Sequence, residues 1–365
     1  MLVVTTNIEE IIDEMTSHLN NEAALISIGE HMDINVEDLV AALNAANLKF
    51  IGGVFPKVIY GNSIVDNGMV INPLNHVEDL VLVKDISKNK YTIPKISFDA
   101  SNAYSLITYV DGLTSNISNY LSSLYENYGM QTNYFGGGAG SLSLEQMPCV
   151  FSNDGVFQDA AVFALLRMES RIGVRHGWNK VDGPFIVTKA EGNIIKEINW
   201  KNPFEVYKQV VETHSNKQFN DDNFFEIAKG YPFGIVKDHA ECIVRDPLMV
   251  NDKGELICVG ELEDNTLVDI LNGNEGTLIE AAKHAAAESI KFAEKPRKAI
   301  IIDCISRILF LEDNFDKELN TITKTINDKF PDVTISGALT LGEISSYGEG
   351  FLEFYNKTVV IALFE

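Results

Sequence analysis

The chain has 365 residues, 45 % hydrophobic and 22 % charged, and a formal net charge of −23 from 29 basic and 52 acidic residues. This describes a globular chain with large cores and about two domains, and the acidity excludes nucleic acid and anionic membrane as partners, because phosphate demands the opposite sign. No apolar run approaches the about 18 residues of a membrane helix, the start Met1-Leu2-Val3-Val4-Thr5 lacks a secretory pattern, and four scattered cysteines without a C-x-x-C pair read as free thiols, so a cytoplasmic location is expected.

A leading helix is expected over 8–19, with Ile8, Ile11, Ile12, Met15 and Leu19 on one face. A pattern then occurs three times, at 24–73, 105–166 and 299–364. Each copy opens on an apolar run: Ala24–Ile28, Ser105–Tyr109, and Ala299–Ile302. An amphipathic helix follows, with apolar residues at Val36, Leu39, Val40 and Leu43; at Ile117, Tyr120, Leu121 and Leu124; and at Phe315, Leu319, Ile322 and Ile326. Asn35, Asn116 and Asn314 stand at the three N-cap positions. One apolar stripe per helix implies packing against a sheet on one side only. Each copy continues with glycines that read as a turn, Gly52-Gly53, Gly136-Gly137-Gly138 or Gly337. It closes on an Asn-containing turn and a further apolar run. Such self-similarity indicates duplicated supersecondary units. Between the second and third copies, 185–188 and 193–198 form a hairpin turned at Glu191-Gly192-Asn193. A helix starts at Pro203 behind Asn202. Short strands are expected at 233–236, 241–245 and 256–259, and an alanine-rich helix over 278–292. The expected class is therefore α/β (α+β), with mixed sheets and helices packed outside them.

The motifs that could carry chemistry are few. Gly136-Gly137-Gly138-Ala139-Gly140 fits neither G-x-G-x-x-G nor a P-loop, which leaves a tight connection or close backbone approach to a small ligand. His76-Val77-Glu78 with Pro148-Cys149 lacks the second thiolate of a zinc deaminase, since position 152 is Ser152. Asp238-His239 with Glu241-Cys242 is split across two faces by strand alternation and reads as structural. No metal or cofactor is expected. Arg307 follows directly on a strand, in Cys304-Ile305-Ser306-Arg307, where it could clamp a carboxylate or pair with an acid such as Glu343. Trp178 could be a pocket wall or plain core. Cys304 with His176 could form a nucleophile–base pair if within reach of a hydrogen bond, or Cys304 could be a buried thiol.

Several of these segments resemble the FIST family. Tyr134-Phe135-Gly136-Gly137-Gly138-Ala139-Gly140, Asn153-Asp154-Gly155, His176-Gly177-Trp178, Gly183-Pro184-Phe185 and 187–193 are similar to its N-terminal domain. Val244-Arg245-Asp246-Pro247, 261–266, Cys304-Ile305-Ser306-Arg307 and Gly342-Glu343-Ile344 are similar to its C-terminal domain. Gly138 replaces a frequent Ser, and Asn265 a frequent turn glycine. The resemblance implies an N-terminal domain over 1–200 and a C-terminal domain over 201–365. It implies an intracellular sensory protein for a small ligand, with amino acids the proposed class. With no F-box in 1–20 and no output segment before Glu365, signalling is expected through a separate protein such as a histidine kinase. The expected site lies between the domains: Gly137 and Gly138 against the ligand, Arg307 on its carboxylate, Glu343 on its amino group, and His176 and Trp178 as walls. An enzyme using Cys304 and His176, or a protein-interaction scaffold, stands as the alternative.

Overall fold

The computed structural model describes residues 1–19, 22–95, 99, 101–237, 241–346 and 352–365. The first module runs β1 (Leu2–Val3), α1 (Ile8–Leu19), β2 (Ala23–Gly29), α2 (Val36–Ala45), β3 (Phe50–Phe55), the hairpin β4 (Lys57–Tyr60) and β5 (Ser63–Val65), β6 (Met69–Leu74) and β7 (Val77–Lys84). The second runs β8 (Tyr104–Asp111), α3 (Ile117–Tyr128), β9 (Thr132–Ala139), the hairpin β10 (Val150–Ser152) and β11 (Gly155–Phe157), β12 (Ala160–Leu166) and β13 (Ser170–Arg175). An insertion follows: β14 (Asn179–Glu191), β15 (Ile194–Ile198), α4 (Pro203–Ser215), α5 (Phe224–Ala228), β16 (Phe233–Ile235), β17 (Ile243–Arg245), β18 (Pro247–Val250), β19 (Leu256–Cys258), β20 (Thr266–Asn272) and α6 (Glu275–Ile290). The third module is β21 (Lys298–Cys304), α7 (Ile305–Leu311), α8 (Phe315–Asn327), β22 (Thr334–Thr340), the hairpin β23 (Glu343–Ser346) and β24 (Leu352–Tyr355), and β25 (Val359–Phe364).

The three modules build three six-stranded sheets of one design. Their orders are β1-β6-β2-β3-β10-β11, β7-β12-β8-β9-β23-β24 and β13-β25-β21-β22-β4-β5. Within each, two strands joined through a helix pair in parallel (β2 with β3, β8 with β9, β21 with β22), and the closing strand (β6, β12 or β25) lies antiparallel beside the earlier of the two. The hairpins are exchanged in a ring. The first module's hairpin extends the third sheet, the second's extends the first, and the third's extends the second. The flanking strands pass in the other sense: β7 joins the second sheet and β13 the third. The insertion supplies a fourth sheet, β17-β16-β20-β14-β15-β19-β18.

This layering follows from strand alternation. Leu25, Ile51 and Phe55 of the first sheet, Ile107, Tyr109 and Phe135 of the second, and Ile300, Ile302 and Ala338 of the third share one inner core. The opposite faces take the helices: α1 and α2 on the first sheet, α3 on the second, α6 and α8 on the third. Of the three expected caps, only Asn35 accepts a backbone N–H, from Asp38. Asn116 has φ 63° and donates instead to the Ser87 carbonyl, and Asn314 makes no side-chain cap.

Two expectations change here. The glycines read as turns lie inside β3, β9 and β22. Gly52, Gly136 and Gly337 stand in register beside Ile26, Thr108 and Ile301 of the parallel neighbour. A Cβ at Gly52 would approach the Ile26 carbonyl oxygen to 2.5 Å, and at Gly136 and Gly337 it would overlap the corresponding oxygens. The glycines therefore permit close strand approach, three times at one position. Asn153-Asp154 turns the β10–β11 hairpin rather than leading into β12. The division expected at 200/201 falls between β15 and α4, while sheets two, three and four each draw strands from both sides of it.

Candidate functional site

The buried turn Asn356-Lys357-Thr358 between β24 and β25 collects most of the residues expected at a site. Lys357 has φ 56°, and its carbonyl accepts Arg307 Nη1–H at 3.1 Å and Trp178 Nε1–H at 3.4 Å. The Lys357 ammonium is buried against the Trp178 ring, 4.9 Å from its centroid, and pairs with Asp246 at 3.0 Å. The Thr358 N–H donates to Glu343 Oε2 at 3.1 Å, and Thr340 Oγ1–H donates to Oε1 at 3.0 Å. Glu343 stands opposite Gly137 in the β23–β9 ladder, and Gly138 N–H donates to the Gly342 carbonyl. His176, Trp178 and Arg307 thus meet at one side of this turn, and Gly137, Gly138 and Glu343 at the other.

The network is closed. Arg307 is fully buried and all five of its N–H groups are taken. Nε and Nη2 form a fork on Glu318 at 2.9 and 2.6 Å; Nη1 donates to the His176 and Lys357 carbonyls, and Nη2 also to Leu278. Its counter-ions are Glu318 and Asp303, at 2.6 and 3.4 Å, rather than Glu343. No donor remains for a ligand carboxylate. A Cβ at Gly137 would meet Thr340 and Ile302 within 3 Å, so that glycine is required by packing. Trp178 packs edge-on against Phe310 at 5.0 Å. Burial pushes the Glu343 carboxyl up to about 8, with the Thr358 and Thr340 bonds pulling the other way. Burial beside Glu318 likewise holds Asp303 well above the usual carboxylate range.

The Cys304–His176 pair does not form. Cys304 Sγ contacts Ser306 Oγ at 3.0 Å, and burial pushes its thiol up. The His176 ring faces two other groups, Glu241 Oε2 at 2.7 Å and Cys242 Sγ at 3.2 Å, both from Nε2. Asp238 and His239, read as structural beside them, lie outside the described residues. Among the described residues no cluster of His, Cys, Asp and Glu could hold a metal ion, and no helix is long and apolar enough to cross a membrane.

An open space lies where the three sheets meet. The closing strands β6, β12 and β25 end at Leu74, Leu166 and Phe364, and these residues, with Met168 and Ile300, wall a cavity of about 50 Å³. One water needs roughly 10–15 Å³, so there is room for a few non-hydrogen atoms. Its charged groups are Arg297, Lys298 and Glu365. Lys298 shares the inner face of β21 with Ile300 and Ile302, and its Nζ donates to the Pro73 carbonyl at 2.5 Å. Burial pulls the Lys298 ammonium down from its ordinary value, with the Glu22 carboxylate acting the other way.

Glu318, Asp303, Asp246 and Lys357 were not among the expected site residues. Glu318 occupies the stripe Phe315, Leu319, Ile322, and Asp303 closes the run Ile300–Ile302. A charge on an apolar face signals a buried partner, although nothing local identifies that partner. Lys298 gave no such signal, because a lysine at a strand start is ordinary.

No curated protein matches the chain. Family models do match: the FIST N domain over residues 58–201 and the FIST C domain over 203–346. Together they span most of the chain, and FIST domains are generally associated with small-ligand sensing in signal transduction. The chain belongs to the FIST family.

Proposed function

We propose that this protein is a sensor for a small carboxylate, an amino acid or close relative, which it binds in the cavity at the junction of its three sheets and reports to a separate protein such as a histidine kinase. The supporting observation is the Lys298 ammonium, drawn into an apolar-walled space with one of its three N–H groups on Pro73. A cation there gains from a ligand carboxylate, with Arg297 at hand for the second oxygen, while Leu74, Leu166, Ile300 and Phe364 take a short apolar chain. Such a ligand touches all three modules at once, and that contact is what a sensory fold needs. The buried turn at 356–358 then acts as the frame that holds the sheets, with Arg307 and Glu343 as its ties. The free state of all four cysteines fits a reducing, cytoplasmic setting.

Thermal shift of the purified chain against amino acids and short carboxylates tests this reading. A ligand at a hundred times its Kd adds about 2.7 kcal/mol to folding. A selective hit that Lys298→Met abolishes is the expected result. A hit that survives Lys298→Met, or no stabilisation by any member of the panel, overturns it.

A further inference from the structure

The pairing of a thiol with an imidazole exists in this protein, but with a different cysteine from the one its sequence suggests. Cys149, Cys258 and Cys304 are 2 %, 1 % and 3 % exposed, whereas Cys242 is half-buried, just before β17. Its sulfur lies 3.2 Å from His176 Nε2. The backbone N–H of Trp178 donates to His176 Nδ1 at 2.8 Å. In the neutral ring the proton is therefore on Nε2, facing the sulfur and Glu241 Oε2. Behind that ring, the His176 carbonyl is held by Arg307 at 2.6 Å. Among the described residues, the charged groups about the thiol are Glu241 itself, Arg175 from β13, which pairs with Glu241 at 3.4 Å and with Glu288 at 3.0 Å, and Glu288 from α6. Burial pulls His176 down, but Cys242 and Glu241 carry it up to about 9. The Trp178 N–H opposes this, since it meets Nδ1 as a donor and disfavours a second ring proton.

We infer that Cys242 is a reactive thiol for small disulfides, with the His176 Nε2–H as the donor that stabilises its thiolate and Glu241 as the brake that competes for that proton. In the reaction, the Cys242 thiolate attacks one sulfur of R–S–S–R. The Sγ–S bond forms, the S–S bond of the reagent breaks with its electron pair on the displaced RS⁻, and the proton given up by Cys242 goes to solvent, or to RS⁻ where that thiol is weakly acidic. The adduct has little room inward: a Cβ placed on Gly234 would already stand 2.7 Å from Sγ. Modification therefore directs the adduct outward and removes the thiolate that the His176 Nε2–H faces, on a residue whose carbonyl is tied to Arg307. This second input is independent of the cavity at the sheet junction.

The test is the reaction of the intact folded chain with the aromatic disulfide 5,5′-dithiobis(2-nitrobenzoate), followed as released thiolate between pH 5 and 9. One thiol should react at least tenfold faster than the other three, and that phase should vanish in Cys242→Ser. His176→Gln, which removes the Nε2–H beside the sulfur, should slow the phase at least fivefold. Because His176 is buried and its replacement could unfold the chain, Glu241→Gln serves as the second variant. It removes a neighbouring charge at a partly exposed position and should accelerate the phase about threefold. A fast phase that persists in Cys242→Ser, the lack of any fast phase, or a Glu241→Gln rate equal to or below that of the parent overturns the inference.

Discussion

At the residue scale, the informative groups are charges held where water does not reach. Glu343 is fully buried and faces no cation in an ion pair among the described residues; its oxygens accept from neutral donors, Thr340, Thr358 and the Cys304 thiol. Its carboxyl, raised by burial to about 8, is protonated in the folded chain at neutral pH. An acid whose folded value exceeds its unfolded value contributes fully below the unfolded value, about 4.5, and loses that contribution as pH rises through the folded one. Stability should therefore decline between about pH 4.5 and pH 8 by on the order of 4 kcal/mol from this group. Glu343→Gln, isosteric with the protonated acid, should flatten that decline in urea titrations at several pH values, and the variant should match or exceed the parent at pH 8. Arg307 behaves in the opposite way. Removing its side chain leaves Glu318 without its fork and takes a donor from each of three carbonyls. Arg307→Ala should cost about 3–5 kcal/mol. Arg307→Lys should recover less than half, because an ammonium offers three donors against five acceptor contacts. If both variants melt like the parent, the cluster is not the tie described above.

At the scale of the element, the glycine positions of the three modules make a sharper test than any single contact. Gly337→Ala drives a methyl group into the Ile301 carbonyl of the adjacent strand. It should cost at least about 2–3 kcal/mol, in the range of overpacked cores. Gly192→Ala, in an exposed turn with φ 58° and open space around it, should cost only about 1–2 kcal/mol, the backbone term alone. Equal losses in the two variants would show that strand approach is not what these glycines serve. This contrast also shows how far the sequence could be read. The modules, the helix at 8–19, Pro203 at the head of α4 and the 185–198 hairpin were legible because each rests on local periodicity or capping. The glycines were visible, but their role was not. A glycine that admits a φ and a glycine that admits a neighbouring strand look alike until the neighbour is placed. The same limit hid Glu318 as the partner of Arg307 and Cys242 as the partner of His176, since both contacts join segments whose proximity is set by sheet order. Hairpin exchange itself leaves no local trace, because β4, β10 and β23 would read the same against any sheet edge.

For the whole molecule, that exchange decides how it must fold. Were residues 1–200 and 201–365 independent units, each would carry its own sheets. Instead β4 needs β22, β13 needs β25 and β9 needs β23, all across that division. The inner core draws Leu25, Ile107 and Ile300 from the three sheets together. Fragment 1–200 would expose the outer edge of β9 and leave its β4–β5 hairpin unpaired, and an isolated hairpin is marginal in water. Exposed edges of this kind aggregate. The expected outcome is a single cooperative calorimetric transition for the intact chain, with calorimetric and van't Hoff enthalpies equal. Each fragment alone should lack a folding transition, and the two should recover one when co-expressed. Two separable transitions, or a fragment 1–200 that melts cooperatively by itself, would mean that the exchanged strands add little. The ring would then be a decoration on two self-sufficient halves. A single transition carries a consequence for sensing: a ligand at the sheet junction, or an adduct at Cys242, acts on one cooperative body. Its binding energy then adds to the stability of all three modules together.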